Sequence, residues 1–464
     1  ASREAEALSE ERVTVRWEVG EDGSHCAYFA APSFSSNGVK ERAVVAISLA
    51  ASAGADSGDD VWQGEGPVVF VNQEYYGVLV KQSSGPLPRD AVKKFISTSY
   101  SCSLTWQSVA WDRMQTAIRF FRDDVTSTSL FIRSCMLGNP LPHLCSRVAV
   151  PSEEYISKFS LNDTQCAALR LSITSPLNII QGPPGTGKTK TICALITCLA
   201  AQQDGLVLAT AQSNQAADNI AVGIAAMSPT LKVIRFYSRR REAPAHMPPS
   251  VLFPHHRSIL AASDFKELSD LEAVRLKVDL MGKDAVRYSE LRDKSEQAAL
   301  SIADVVVCTC SVAGDRRLAS RRGKYQVMDE ATQSTEAEAI VPLVNGVEHL
   351  TLVGDHKQLG PTQTTRALVR YGYYCSLFER FESLGYPRIT LDRQYRMHPA
   401  ISAFPTSEFY GGLLDDAVSA EDRTMGSVKF PWPKPAHPCF MLNVDASEEV
   451  GESSSSKLNR TEAR

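Results

Sequence analysis

The chain has 464 residues, 43% of them hydrophobic and 22% charged, with 49 Lys plus Arg against 53 Asp plus Glu and a formal charge of −4. That composition is globular and excludes whole-chain disorder or a collagen-like repeat; at roughly 100 to 200 residues per domain it leaves room for two to four cores. So small a net charge exerts no global pull on nucleic acid or anionic lipid, and such binding must come from local basic surface.

Residues 12 to 30 alternate apolar and polar, with Val13, Val15, Trp17 and Val19 on one face, then Asp22-Gly23, then Cys26 and Tyr28. This predicts a hairpin. Short β-rich runs follow at Arg42 to Leu49, Pro67 to Val71 and Gly77 to Lys81, separated by Ala/Ser/Gly/Asp-rich loops. Closely spaced strands of this kind favour a small β-barrel. Trp111, Met114, Ile118 and Phe121 fall at helical spacing, Leu130 to Leu137 predicts a second helix, and the two are expected to pack as a pair on the barrel.

From about residue 161 the pattern changes to apolar runs, each followed by a loop and a helical segment: Leu177 to Ile180, Leu206 to Thr210, Lys232 to Phe236, Asp304 to Thr309, Tyr325 to Met328, His349 to Val353 and Arg388 to Leu391. The pattern predicts an α/β fold with a parallel sheet. Two charged helices, Phe265 to Leu280 and Ala285 to Leu300, interrupt it as an expected antiparallel helical insertion.

Gly182-Pro183-Pro184-Gly185-Thr186-Gly187-Lys188-Thr189 matches G-x-x-x-x-G-K-[ST], follows a predicted strand and precedes helix-periodic Ile192, Leu195, Ile196 and Leu199. The glycines let backbone N–H groups turn inward around phosphate, Lys188 neutralises the β and γ phosphates, and the Thr189 hydroxyl can ligate Mg²⁺. Asp329-Glu330 ends another apolar strand. Downstream of a phosphate loop such a pair has a specific use: Asp329 holds the magnesium shell and Glu330 orients the attacking water. The N-K-x-D base reader of GTPases does not occur, so adenine is the expected base, and Gln165 has an amide able to bond both N6 and N7 of adenine. An Asn or Gln before a helix is otherwise more often a cap.

Leu161 to Gln165, the phosphate loop, Ala211 to Asp218, Cys308 to Cys310, Asp329 to Gln333, Gly354 to Leu359 and Gln394 to Pro399 occur in this order. Together they resemble the motifs of superfamily 1 helicases. Val13 to Pro32, Asp112 to Gln115, Val233 to Glu242, Ser376 to Arg380 and Leu458 to Ala463 look closer still to the up-frameshift RNA helicases of nonsense-mediated mRNA decay. The resemblance covers nearly the whole chain. It implies a barrel inserted on a helical stalk over residues 1–160, a first RecA-like domain over 161–391 with a helical insertion at 243–300, and the start of a second RecA-like domain over 392–464. By motif position Gln165 and Tyr395 would hold adenine, and Gly182, Gly185, Thr186 and Gly187 of the loop would hold the nucleotide's phosphates. Gln358 would sense the γ-phosphate and Arg396 would act as one arginine finger. Ser213, Asn214 and Thr309 sit in motifs that touch the nucleic-acid backbone in relatives. The implied activity is an ATP- and Mg²⁺-dependent RNA helicase moving 5′ to 3′ on single-stranded RNA with nonsense-mediated decay factors as partners. The alternatives are a nucleotide-gated RNA clamp and a DNA-directed relative.

The family's later motifs and its N-terminal Cys/His zinc domain do not occur in this stretch. With an arginine finger typically worth about 10³ to 10⁵ in turnover, weak hydrolysis is expected of the stretch alone. The initial Ala and the helix-like composition of Leu458 to Arg464 read as an excised fragment. Arg239 to Arg241 and Arg316-Arg317 with Arg321-Arg322 are local basic clusters that could meet RNA phosphate or simply be solvated. His356 and His398 lack ligand-spaced neighbours and are assigned to no metal. The eleven cysteines show no zinc-ligand spacing and read as reduced, mostly buried thiols. The apolar stretch Ala43 to Ala55 is too short to cross a bilayer, so no membrane partner is expected. The expected location is cytoplasmic, with shuttling to the nucleus.

Overall fold

Alternation along the first hairpin puts every second side chain inside. β1 (Glu11–Val19) and β2 (His25–Ala30) pair antiparallel with Arg16 opposite Tyr28, and Val13, Val15 and Trp17 are all buried. The computed structural model describes residues 11–19, 25–31, 44–49, 63–72, 75–80, 82–83, 96–105, 109–139, 148–238, 266–275, 282–362 and 371–423, with short pieces between 441 and 461. It divides into two units, Ala1–Asp112 and Arg113–Arg464.

In the first unit the hairpin continues into β3 (Val44–Leu49), β4 (Gln63–Asn72), β5 (Tyr75–Leu79), the two-residue β6 (Gln82–Ser83) and β7 (Ile96–Thr105). Six of these strands pair antiparallel in a closed circuit, β3 to β7, β1, β2, β5, β4 and back to β3. The sequence does not announce β7, because Ser occupies positions 97, 99, 101 and 103. Burial of Tyr100 and Cys102, with the Tyr100 ring edge-on to Trp17 at 5.9 Å, makes the run a strand despite its low apolar content.

Helix α1 (Val109–Asp123) forms where the spacing predicts, but its marked stripe is only half used. Met114 and Phe121 pack against the core, whereas Trp111 is 50% and Ile118 37% exposed. Helix α2 (Leu130–Met136) buries Ile132, Cys135 and Met136 in one cluster with Leu177, Ile179 and Leu350 of the later strands, so the expected packing on the barrel gives way to packing on the second unit's own core. After α3 (Glu153–Ser157) and α4 (Asp163–Thr174), strands and helices alternate: β8 (Leu177–Gln181), α5 (Lys188–Ala201), β9 (Leu206–Ala211), α6 (Asn214–Met227) and β10 (Val233–Arg235). The antiparallel insertion is α7 (Lys266–Arg275) and α8 (Gly282–Ser301), joined by an Arg287–Glu267 ion pair at 2.7 Å. Arg239 to Arg241 lie outside the described residues. The chain continues through β11 (Val305–Thr309), α9 (Cys310–Ala313), β12 (Gly323–Asp329), α10 (Glu336–Leu343), β13 (His349–Gly354), α11 (Leu377–Ser383) and β14 (Arg388–Thr390).

These seven strands form one parallel sheet in the order β10-β11-β9-β12-β13-β8-β14. Its strands are apolar on both faces because both are covered. Val305 and Val307 pack with Leu195 and Ile220 on one side, while Val306 and Cys308 pack with Leu300 on the other. The cysteines buried there are inert: burial pushes the Cys193, Cys198 and Cys308 thiols up to about 12. Beyond the sheet, β15 (Arg393–Gln394) and β16 (Asp415–Asp416) pair around α12 (Pro399–Tyr410). Lys457–Leu458 pairs as a strand with Glu449–Val450, so the helix-like composition there does not set the conformation of those two residues. Among the described residues no helix is long and apolar enough to cross a membrane.

Candidate nucleotide and nucleic-acid site

The phosphate loop sits at the carboxyl end of β8, whose neighbours are β13 and β14. Gly182 N–H donates to Gly354 O at 2.9 Å, tying the loop to the end of β13. Two positions of the loop need glycine for its backbone: Gly185 has φ +77° and Gly187, the N-cap of α5, has φ +81°. At Gly182 the need is room, since a Cβ there would lie 2.1 Å from Lys188 Cγ. Lys188 Nζ folds back onto Gly182 O at 2.7 Å, and Thr189 is exposed in the first turn of α5.

Asp329 ends β12 and is 4% exposed; Glu330 follows with φ +51°, a left-handed conformation that costs a non-glycine residue roughly 1–3 kcal/mol. Glu330 N–H donates to Asp329 Oδ1 at 2.9 Å, and Gln333 Nε2 donates to Glu330 Oε2 at 3.2 Å. Burial first, and then the adjacent Glu330 charge, push the Asp329 carboxyl up to about 6; Lys188 pulls the other way. The fold therefore holds a carboxylate short of positive charge within the field of the loop lysine.

Gln165 is buried, and its amide is engaged at both ends. Its Oε1 accepts from Asn162 N–H at 3.0 Å in a capping box, and its Nε2 donates to Thr186 O at 2.9 Å. Among the described residues, one hydrogen and one lone pair of that amide remain for a ligand. Tyr395 is 39% exposed; its hydroxyl accepts from Asn162 Nδ2 at 2.9 Å and its N–H donates to Gly185 O at 2.9 Å. Arg396 lies against the loop, where a Cβ on Gly185 would come within 2.6 Å of Arg396 Cβ. Gln165, Tyr395 and Arg396 are thus brought to the phosphate loop from two separate stretches of chain.

Gln358 is tied to a hub that sequence reasoning missed. The carboxylate of Asp355, 1% exposed, accepts from Gln181 Nε2 at 3.1 Å, Lys357 N–H at 3.2 Å, Gln358 Nε2 at 2.6 Å and the Tyr410 hydroxyl at 2.7 Å. Tyr410 closes α12, 55 residues from Asp355. No spacing rule joins two such positions, and the available signal is a polar-ended aromatic beside Gly411, which caps the helix at φ +59°.

Ser213, Asn214 and Thr309 share the same carboxyl edge, because β9 and β11 are adjacent and Thr309 stands in register with Ala211. Ser213 caps α6, its hydroxyl accepting from Ala216 N–H at 3.1 Å. Thr309 caps α9 without a side-chain cap bond. Of the Arg316 to Arg322 cluster, Arg317 is spent internally: it pairs with Asp315 at 3.0 Å and Glu296 at 3.2 Å and stacks on Phe236 at 4.3 Å. Arg321 donates to Ala303 O at 3.1 Å. His398 caps α12 by accepting from Ala400 N–H at 3.0 Å, and His356 lies 3.3 Å from Glu382.

Comparison with known proteins gives a consistent neighbourhood. A family model described as an AAA domain matches residues 160–273 and 266–366, and a second AAA domain model matches 373–464. The chain is 36% identical over 461 residues to a regulator of nonsense transcripts 1 homolog of Arabidopsis thaliana, covering 99% of this chain and 36% of that protein. It is 33% identical over 462 residues to regulator of nonsense transcripts 1 of Caenorhabditis elegans, covering 99% of this chain and 42% of that protein. To the ATP-dependent helicase NAM7 of Saccharomyces cerevisiae it is 34% identical over 466 residues, covering 99% of this chain and 46% of that protein. The chain therefore spans between 36% and 46% of the length of these relatives. Similarity sustained across both units, and not confined to the phosphate loop that many nucleotide-binding proteins share, decides the matter: the chain belongs to the family of the regulator of nonsense transcripts 1.

Proposed function

We propose that the chain is the ATP-driven part of an RNA helicase acting in nonsense-mediated mRNA decay, translocating 5′ to 3′ on a single strand with decay factors as partners. The observation that carries this reading is the glycine cradle whose lysine shares a sheet edge with a buried acid held at about 6. In the proposed site, Gly182, Gly185, Thr186 and Gly187 line the phosphates and Lys188 exchanges its bond to Gly182 O for phosphate oxygen. Asp329 fits a divalent cation such as Mg²⁺: it is buried, and among the described residues its carboxylate accepts one hydrogen bond, from Glu330 N–H. Asp329 and the exposed Thr189 hydroxyl would hold that ion, which when bound supplies positive charge to the phosphate oxygens. Glu330 is turned by its left-handed backbone to orient the attacking water. Gln165 and Tyr395 hold adenine; Gln358 reads the γ-phosphate, and Arg396, already packed on the loop, stabilises its charge.

Residues 1–160 then serve as a barrel on a helical stalk, 161–391 as the first RecA-like domain and 392–464 as the start of the second. We place the protein in the cytoplasm, with access to the nucleus. Ser213, Asn214 and Thr309, on the same sheet edge, touch the backbone of the strand, so that nucleotide chemistry at one site changes grip at the other.

The test is Lys188→Ala. Loss of one preorganised charge at phosphate is expected to lower ATP turnover roughly 10²- to 10³-fold and to abolish strand displacement with it. Unchanged turnover would overturn the reading. ATP-sensitive retention of RNA without displacement by the wild type would instead support the clamp, and stronger stimulation by DNA than by RNA would redirect the substrate class.

A further inference from the structure

Arg235 is the last residue of β10 and is 0% exposed, a rare place for a guanidinium unless every donor is used. Its Nε donates to Asp218 Oδ1 at 2.7 Å, Nη1 to Phe236 O at 2.7 Å, and Nη2 to Asn214 Oδ1 at 3.0 Å. Its face lies on the Tyr237 ring at 3.9 Å, and the Tyr237 hydroxyl donates to the same Asp218 oxygen at 2.7 Å. The group is therefore locked by a carboxylate, a carbonyl and an aromatic face at once.

A guanidinium has donors and no acceptor, so the amide of Asn214 must turn its oxygen inward to meet it. The Nδ2 of Asn214 is thereby left for other partners, and among the described residues no bond to it is found. Asn214 is half-buried at the first position of α6. We propose that Arg235 is a positioning residue that fixes the Asn214 amide so that it offers N–H donors alone, which selects the acceptor oxygens of a nucleic-acid backbone. A base edge offering a donor to this side chain would need the amide oxygen, which Arg235 has taken. Every backbone phosphate offers such acceptors whatever its base, so the grip proposed at this point does not depend on base sequence. The inference rests on the nucleic-acid reading above and adds to it the chemistry of one contact.

The experiment uses the 464-residue chain, fluorescent oligouridylate and oligoadenylate across a salt series, and thermal melting in parallel. Asn214→Asp keeps an oxygen for Arg235 and replaces the donor by a negative charge. Its melting temperature is expected to hold or rise while affinity for both oligonucleotides falls at least about tenfold. Asn214→Ala is expected to weaken binding less, and Arg235→Lys combined with it should weaken binding no further, because Arg235 acts through Asn214. Wild-type affinity in Asn214→Asp, additive losses in the double variant, or a loss confined to one base would each overturn the proposal. If Arg235→Lys fails to fold by circular dichroism, Asn214→Asp decides alone. Absence of salt-dependent RNA binding by the wild type would instead bring down the nucleic-acid reading itself.

Discussion

Asp329 shows how a single carboxylate can set the pH response of the proposed nucleotide site. Its folded value of about 6 lies above the ordinary 3.8, so between those limits the folded chain keeps a proton that the unfolded chain has released. Stability from this group therefore falls as pH rises from about 4 to about 6 and is level above, a loss on the order of 3 kcal/mol. Asp329→Asn should melt higher than wild type at pH 7.5 without nucleotide, with the gap closing near pH 4. Magnesium and an ATP analogue together should stabilise the wild type and leave the variant unchanged. A gap independent of pH would show that burial does not penalise the charge. At this scale the sequence is readable where a motif dictates placement, as with Lys188 opening α5 and Asp329 ending β12, and opaque where contact is long-range. Gln165 can be expected near adenine, but its bond to Thr186 O depends on how α4 meets the loop. Arg317, one of a conspicuous run of cations, turns inward to Asp315 and Glu296, and composition alone cannot report that choice.

Helix α12 carries the link between the phosphate loop and the Asp355 hub. Tyr395, just before it, bonds Gly185 O, and Tyr410, at its end, bonds Asp355. Removing that hydroxyl in Tyr410→Phe should cost about 1–3 kcal/mol, as expected for a bond to a buried charged group. It should also loosen α12 locally, seen as faster amide exchange across residues 399–410 than in the rest of the sheet. Equal protection in both proteins would show the bond to be incidental. The loop itself offers a sharper steric test. Gly182→Ala must displace Lys188, whose Cγ would be 2.1 Å from the new Cβ. The expected result is at least about a tenfold loss of nucleotide affinity, the size of one lost charge-assisted contact, measured by titration with an ATP analogue. The seven parallel strands were legible because their apolar runs are bounded by loops, and the helical insertion because two charged helical stretches interrupt them. Strand β7 was not, since its information lies in two buried residues among serines.

Across the whole molecule, the phosphate loop, the Asp355 hub and the Arg235 cluster all fall within Arg113–Arg464, while the antiparallel circuit falls within Ala1–Asp112. A core lesion in the circuit should therefore spare nucleotide binding. Trp17→Ala, removing a fully buried ring, is expected to cost about 3–5 kcal/mol in the first unit. Nucleotide affinity within twofold of wild type, measured below the melting temperature, is the expected companion result, and a joint collapse would contradict it. The circuit also bears on how the protein behaves in a crowded solution. With β7 seated between β1 and β3, both of those strands have hydrogen-bonded neighbours on each flank. Unseating β7 would bare two apolar ladders at once, and bare ladders recruit one another. A chain damaged at its serine-rich strand should then fail by clumping with its own kind well before residues 113–464 have lost shape.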